Sequence, residues 1–229
     1  MEIERDFIFD PSLVLYLPLY KLDGASIMDR SAYGHLCTVT GALWRPNGHY
    51  FDGSDDRVNC GTSSAFDITD AITVELWVYV DPAGVADGKL SYLAGKSNAT
   101  VSATWHWQFD DRGPPTNAFR MQVLGASIGT VLLDDYVTGA NWFHLAMAYS
   151  VMENQIRAYV NSVLEGTTTF NETLNTNAFP VMLAAAYKTT SPNYQDPFAG
   201  LIGEVMIYNR ALTPQEIQRN YLATKWRYR

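Results

Sequence analysis

Cysteine is scarce: Cys37 and Cys60 are the only two in 229 residues. One bridge between them would close a loop of about two dozen residues and add roughly 3 kcal/mol. The sequence leaves that bridge open, but without an export signal two buried thiols are the favoured reading. Charge is sparse as well, at 17% of residues, below the usual ~25%, which argues against disorder and against a coiled coil. The balance is acidic, 16 basic against 24 acidic residues for a net charge of −8. Such a chain has no overall attraction for nucleic acid phosphates or anionic lipid. No apolar run is long enough to span a bilayer. The start, Met1-Glu2-Ile3-Glu4-Arg5-Asp6, is acidic where a secretory signal is basic, and the apolar stretch Leu13–Tyr20 is broken by Pro18. No Sec-type signal is expected, which leaves the cytoplasm, or a virion or cell surface reached by another route. Also missing are a Gly-x-Ser-x-Gly elbow, a His-Glu-x-x-His pair, a Walker loop and a Gly-x-Gly-x-x-Gly turn, so the common hydrolase, zinc and nucleotide signatures are excluded.

What the chain has in quantity is alternation. Ile72–Val80, Thr104–Asp110, Ala118–Leu124, Asn141–Tyr149 and Gln155–Asn161 each place apolar residues at every second position. Shorter β-rich runs lie at Leu13–Tyr20, Leu36–Thr40, Val58–Cys60, Leu90–Ala94, Val181–Ala186 and Leu201–Tyr208. Turn pairs such as Asn47-Gly48, Asp52-Gly53, Asp87-Gly88 and Pro114-Pro115 separate them. Many short strands with almost no helical period predict an all-β, two-sheet antiparallel sandwich. No composition shift or repeat divides the chain, so one domain over residues 1–229 is expected.

One helix is predicted, over 212–225. Thr213-Pro214-Gln215-Glu216 is a capping box with Pro at the first helical position. From Arg210 onward there are five basic residues against the single acid Glu216, so the last twenty residues carry +4 and the rest −12. The tail 225–229, Lys-Trp-Arg-Tyr-Arg, reads either as cations suited to a helix C-terminus or as a basic aromatic segment. In the second reading it docks on an acidic surface of its own or another chain, as in a homo-oligomer or particle assembly.

Several segments in order resemble the laminin G-like, concanavalin A-like jelly-roll domains. They are Leu15–Leu19 with Asp29-Arg-Ser31, Tyr50–Val58, Ile72–Trp77, Asn141–Ala146 with Tyr159-Val-Asn161, and Phe198–Leu212 closed by Glu216-Ile217. The resemblance runs from about Leu13 to Leu222. It implies a jelly roll of two antiparallel sheets of six or seven strands each, one convex and one concave, and no single function. Related domains often hold a structural calcium with oxygen ligands. Here Asp29, Ser31 and Glu204 are the candidates, while Ala32, Tyr33, His35 and Gly203 stand where the family favours other residues. The resemblance leaves that calcium open, but with these replacements no metal is expected to be needed for folding. Asp52, Asp55 and Asp56 form a second acidic group, read first as a turn.

An enzyme on this scaffold would be expected to pair carboxylates on alternate positions of one strand, roughly 5–5.5 Å apart for retaining chemistry. No Glu-x-Asp-x-x-Glu run exists, so a glycan-active enzyme ranks third. The residues opposite the apolar set on the strands are Glu75, Trp77, Tyr79, His106, Gln108, Asp110, Arg120, Gln122, Arg157 and Tyr159, with Trp142 and His144 beside them. Flat aromatics mixed with amide, carboxylate and guanidinium groups suit a sugar's C–H faces and hydroxyls. The first expectation is therefore a noncatalytic carbohydrate-recognition module using the concave sheet. The alternative is a virion or appendage structural protein that binds a protein surface, and a surface-displayed adhesin would combine the two. On the first reading, Trp77→Ala and Gln108→Ala weaken binding without unfolding, and removal of residues 225–229 leaves binding unchanged.

Overall fold

Every alternating run of the sequence becomes a strand. The computed structural model describes residues 6–21, 24–81, 89–98, 102–113, 117–134 and 141–228. The turns expected at Asp87-Gly88 and Pro114-Pro115, the first five residues and Arg229 lie outside them. In chain order the first strands are β1 (Leu13–Pro18), β2 (Ser26–Met28), β3 (Leu36–Thr40), β4 (Leu43–Arg45), β5 (Gly48–Asp52) and β6 (Arg57–Asn59). The long central ones are β7 (Ala71–Val80), β8 (Leu90–Asn98), β9 (Ser102–Asp110), β10 (Ala118–Leu124), β11 (Ile128–Leu133) and β12 (Trp142–Ser150). Then follow β13 (Gln155–Val160), β14 (Val163–Thr169), β15 (Val181–Leu183), β16 (Ala186–Tyr187), β17 (Tyr194–Gln195) and β18 (Ala199–Tyr208), and last the helix α1 (Pro214–Thr224).

They form two sheets. The first has the order β14-β13-β12-β7-β18-β5-β4, with β1 also on β18; the second runs β11-β10-β9-β8-β15-β6-β3-β2, with the β16–β17 pair beside β8. Pairing is antiparallel throughout except at Tyr187 beside Asn98. The sheets hold eight and ten strands rather than six or seven each, because short pieces of two or three residues (β2, β4, β16, β17) extend the edges. Between them lies the core, built from the apolar half of each alternating strand: Ile72, Val74, Leu76 and Val78 face Trp105, Trp107, Phe109, Phe119 and Met121. Cys37 and Cys60 are both buried free thiols in that core.

A second apolar cluster lies outside the sandwich. Ala146 and Ala148 of β12, Met206 and Tyr208 of β18 and Tyr16 of β1 receive Ile217 and Ala223 of the helix, with Phe7 alongside. The two alanines are the small outward residues that leave room for a helix. The capping box forms: Thr213 Oγ1 accepts from the Glu216 amide at 3.3 Å, and Glu216 Oε2 accepts from the Thr213 amide at 2.8 Å. Arg210 clamps Glu216 with two hydrogen bonds of 2.9 and 2.7 Å and also reaches Asp10. The helix covers Pro214–Thr224, shorter than 212–225, and a 3₁₀ turn (Lys225–Arg227) carries the chain on across the sheet.

That turn delivers the tail onto its own chain. Tyr228 Oη donates to Glu204 Oε1 at 3.2 Å, Arg227 lies 3.4 Å from the same oxygen, and Tyr16 Oη donates to Glu204 Oε2 at 2.8 Å. The Arg227 guanidinium stacks on Tyr20, 3.4 Å from the ring centroid. Gly203 makes this possible, since a Cβ there would sit 2.3 Å from the Tyr228 ring. Gly203→Ala should therefore lift the tail, lowering stability by about 1–3 kcal/mol as other overpacked sites do. Faster tryptic cleavage at Lys225 and Arg227 with a lower melting midpoint is the expected result; wild-type cleavage would contradict it.

Candidate binding cleft

Register alone lines up one row of side chains on the outer face of the first sheet. Leu43 pairs with Tyr50, Tyr50 with Leu201, Leu201 with Tyr79 and Tyr79 with Trp142, across β4, β5, β18, β7 and β12. Their neighbours Phe51, Ile202, Val78 and Phe143 point into the core, so period two puts the row outward. Along this row an open cleft of about 270 Å³ is floored by Tyr50, Tyr79, Leu201 and Trp142 and rimmed by the β4–β5 hairpin tip, Arg45-Pro46-Asn47. Gly48 lets that hairpin close on β18, because a Cβ there would lie 2.2 Å from the Ile202 carbonyl oxygen. The Tyr79 and Trp142 rings are 5.9 Å apart, and Tyr228 of the tail packs 4.7 Å from Trp142. Tyr50 Oη donates to Asp81 at 3.1 Å, and the exposed Arg45 guanidinium donates to the Trp44 carbonyl oxygen at 3.0 Å.

The ten residues expected to share a face do not share one. Five, Glu75, Trp77, Tyr79, Arg157 and Tyr159, stand on the outer face of the first sheet; the other five stand on the second, separated by the core. Alternation fixes inward or outward, and it is silent on which sheet a strand joins. Only Tyr79 lines the cleft. Trp77 is 2% exposed, sandwiched by Tyr228 at 4.4 Å and Tyr221 at 5.7 Å, with its indole N–H donating to Thr224 Oγ1 at 2.8 Å. It holds the helix down, so Trp77→Ala should destabilise the protein, contrary to the sequence expectation. Tyr159 is buried in the same outer cluster, and Arg157 bridges Glu153 at 2.9 Å and the Leu212 carbonyl.

Beneath the helix Glu75 and His144 are completely buried. Asn220 Nδ2 donates to Glu75 Oε2 at 2.8 Å, while Glu75 Oε1, Asn220 Oδ1 and both His144 ring nitrogens have no hydrogen-bond partner. Glu204 stands two residues along β18 from Met206, the partner of Glu75, so the two carboxylates are diagonal neighbours. That proximity was invisible in sequence, since the two acids lie far apart in the chain. Both are sealed by the C-terminal segment.

On the second sheet four of the remaining five residues are tied into local side-chain contacts, and some of their polar atoms stay unsatisfied. Gln122 Nε2 donates to Thr130 Oγ1 at 2.8 Å, so its Oε1 faces His106 Nε2 at 2.7 Å and that nitrogen carries the proton. Asp110 is held by Arg120 at 2.5 Å and Arg112 at 3.0 Å; these cations keep its carboxyl below the usual range although burial pushes it up. His106, Gln108 and Asp110 are buried, and burial lowers the His106 pKa to about 4. Gln108 Oε1 and His106 Nδ1 are left without partners.

The proposed calcium ligands do not fit a cation. Asp29 already accepts five hydrogen bonds: from the amides of Tyr16 (2.7 Å), Ser31 (2.8 Å) and His35 (3.2 Å), from Ser31 Oγ (2.6 Å) and from His35 Nδ1 (2.8 Å). Donors fill the oxygens that Ca²⁺ would need, and His35 sits where another oxygen ligand was expected. Glu204 belongs to the tail anchor instead. Asp52, Asp55 and Asp56 come within 4.8 Å of one another. Asp56 accepts from the Asp52 amide at 2.9 Å, and Asp52 from the Ser54 amide at 2.8 Å, which is a closed turn.

The chain matches the model of the concanavalin A-like lectin/glucanase superfamily over residues 52–218 and belongs to that family. No curated protein sequence matches it. Among solved structures it is similar to the binding domain of botulinum neurotoxin DC in complex with SialylT, with TM-score 0.72, 13% identity and coverage of 94% of this chain and 52% of that one. It is similar too to botulinum neurotoxin type C, whose cell entry depends on interaction with two ganglioside molecules (TM-score 0.74, 14% identity, 96% and 53% covered). A third is Trypanosoma rangeli sialidase in complex with sialic acid (TM-score 0.68, 16% identity, 95% and 34% covered). At these identities the likeness is one of fold, and the chain spans about half of the neurotoxin domains and a third of the sialidase.

The sealed pair under the helix has a pH signature. Burial raises the Glu75 pKa to about 8, against Asn220 and Arg219, which lower it. Burial depresses His144 to about 3. The raised Glu75 contributes stability that is complete below its unfolded value of 4.5 and lost as pH climbs to 8; the depressed His144 contributes stability that is complete above 6.5 and lost as pH falls toward 3. The two slopes cancel between 4.5 and 6.5. Urea unfolding should therefore show stability falling between pH 6.5 and 8 by of order 2 kcal/mol. Glu75→Gln should abolish that fall, and a wild-type profile flat across this window would contradict the assignment.

Proposed function

We propose that the chain is a noncatalytic carbohydrate-binding module whose ligand lies in the cleft of Tyr50, Tyr79, Leu201 and Trp142. The observation that carries this reading is the cleft itself. Half-exposed aromatic rings offer faces to sugar C–H groups, and the exposed Arg45 with Asn47 at the rim supplies hydrogen bonds to hydroxyls. Glycan ligands of the neurotoxin and sialidase structures support the choice of ligand class.

The placement of the acids supports binding without turnover. Glycoside hydrolysis needs two carboxyl groups flanking the scissile bond. The pair that approaches on this face, Glu75 and Glu204, is completely buried under α1 and the tail, and no carboxylate lines the cleft among the described residues. Among the described residues of the tail its docking leaves Lys225 and Trp226 exposed, and an assembly role would use them.

Glycan-array screening followed by tryptophan-fluorescence titration tests the reading. Trp142→Ala should weaken binding about tenfold, the size of one lost stacking contact. Deleting residues 225–229 should weaken it as well, because Tyr228 backs the Trp142 ring; this reverses the expectation from sequence. Binding unaffected by both changes, in proteins that still melt cooperatively, would contradict the site.

A further inference from the structure

The cleft is one end of a longer row, and its shape restricts what it can hold. Leu43, Tyr50, Leu201, Tyr79 and Trp142 are paired one to the next across five strands, and the bulge of β18 lies beyond the row, between Ile202 and Val205. At about 4.8 Å per strand the row runs for about 19 Å across the sheet. That is several times the width of a single sugar ring. Among the described residues no wall closes the Leu43 end: β4 is the edge strand of the first sheet, and Leu43 is 53% exposed. At the other end Trp142 is backed by Tyr228.

Charge narrows the choice further. Among the described residues Arg45 is the one charged residue lining the cleft, and acids gather beside Tyr50, outside the lining. The Tyr50 hydroxyl donates to Asp81, and with burial the charges of Asp81, Asp52 and Asp56 all raise its pKa. A hydroxyl that donates to a carboxylate presents its lone pairs outward, so Tyr50 accepts from a ligand while Arg45 donates to it and Asn47 can do either. Donors and acceptors alternate along an apolar floor, and the nearby acids repel a ligand that carries carboxylates of its own.

We propose, resting on the carbohydrate reading above, that the Leu43–Trp142 row binds a neutral glycan chain lengthwise across the strands, over several sugar units, rather than a single terminal or acidic sugar. Trp142 and Tyr79 anchor one unit, and Leu43 contacts a unit further along the chain.

Calorimetric titration of the full chain with neutral gluco-, manno- and galacto-oligosaccharides of one to six units, α- and β-linked, tests this, with oligogalacturonates as the anionic comparison. Affinity should rise at least tenfold from the monosaccharide to the tetrasaccharide and then level off, and the oligogalacturonates should bind more weakly at low salt. Leu43→Ala, at an exposed edge position that should not perturb folding, should lower tetrasaccharide affinity about fivefold and leave the monosaccharide unchanged, whereas Trp142→Ala should weaken both. Equal affinity for one unit and four, no effect of Leu43→Ala, or oligogalacturonates binding as tightly as neutral chains would overturn the inference while leaving the carbohydrate reading in place. No binding by any member, or binding indifferent to Trp142→Ala, would overturn that reading as well.

Discussion

The structure outside the core depends on one buried carboxylate. Glu204 accepts from Tyr16 of the first strand and from Tyr228 of the tail, with Arg227 beside it. The two ends of the described chain are thereby tied to the strand between them. Completely buried charge is costly unless it is paired and hydrogen-bonded, and the docked tail supplies part of that pairing to Glu204. Losing the tail would expose Trp77, take Tyr228 and Arg227 from Glu204 and open the partly unsatisfied group of Glu75, Asn220 and His144 to water. The helix supplies apolar area through Ile217 and Ala223, and the carboxylate fixes where the chain goes afterwards.

That anchoring links folding to recognition. Tyr228 lies over Gly203, stacks on Trp77 and packs against Trp142, so the same ring seals one side of the face and backs a ring that lines the cleft on the other. The outer face of the first sheet is thus divided. One part is closed by α1 over Ala146, Ala148 and Tyr208, and the other is left open along the row that ends at Trp142. The boundary is the tail that sequence reading had treated as separable from binding.

Strand positions, the sandwich core, the capping box and the family were legible because each leaves a local mark: period two, Thr-Pro-Gln-Glu, and ordered segments such as Phe198–Leu212. The site was legible only in part. Tyr79 and Trp142 were on the outward set, but Tyr50, Leu201 and the hairpin Arg45-Pro46-Asn47 reach the cleft through pairings between residues more than a hundred positions apart. Local periodicity carries no information on such pairings. The same gap joined His106 and Gln108 of the second sheet to Trp77 of the first as if they shared a surface. One signal was available for the covered face: Ala146 and Ala148 are small outward residues on a central strand, and Met206 and Tyr208 are large outward ones on its neighbour but one. A solvated face would carry polar groups at those positions.

The proposed recognition surface is the tail-bordered outer face of the first sheet and not the polar network of the second. Backbone and indole chemical-shift mapping by NMR during titration with a bound oligosaccharide tests it most directly. The account predicts shifts clustered at Asn47, Tyr50, Tyr79, Leu201 and the Trp142 indole, extending to Tyr228. Shifts clustered instead at His106, Gln108, Arg120 and Gln122, with Trp142 unmoved, would contradict it.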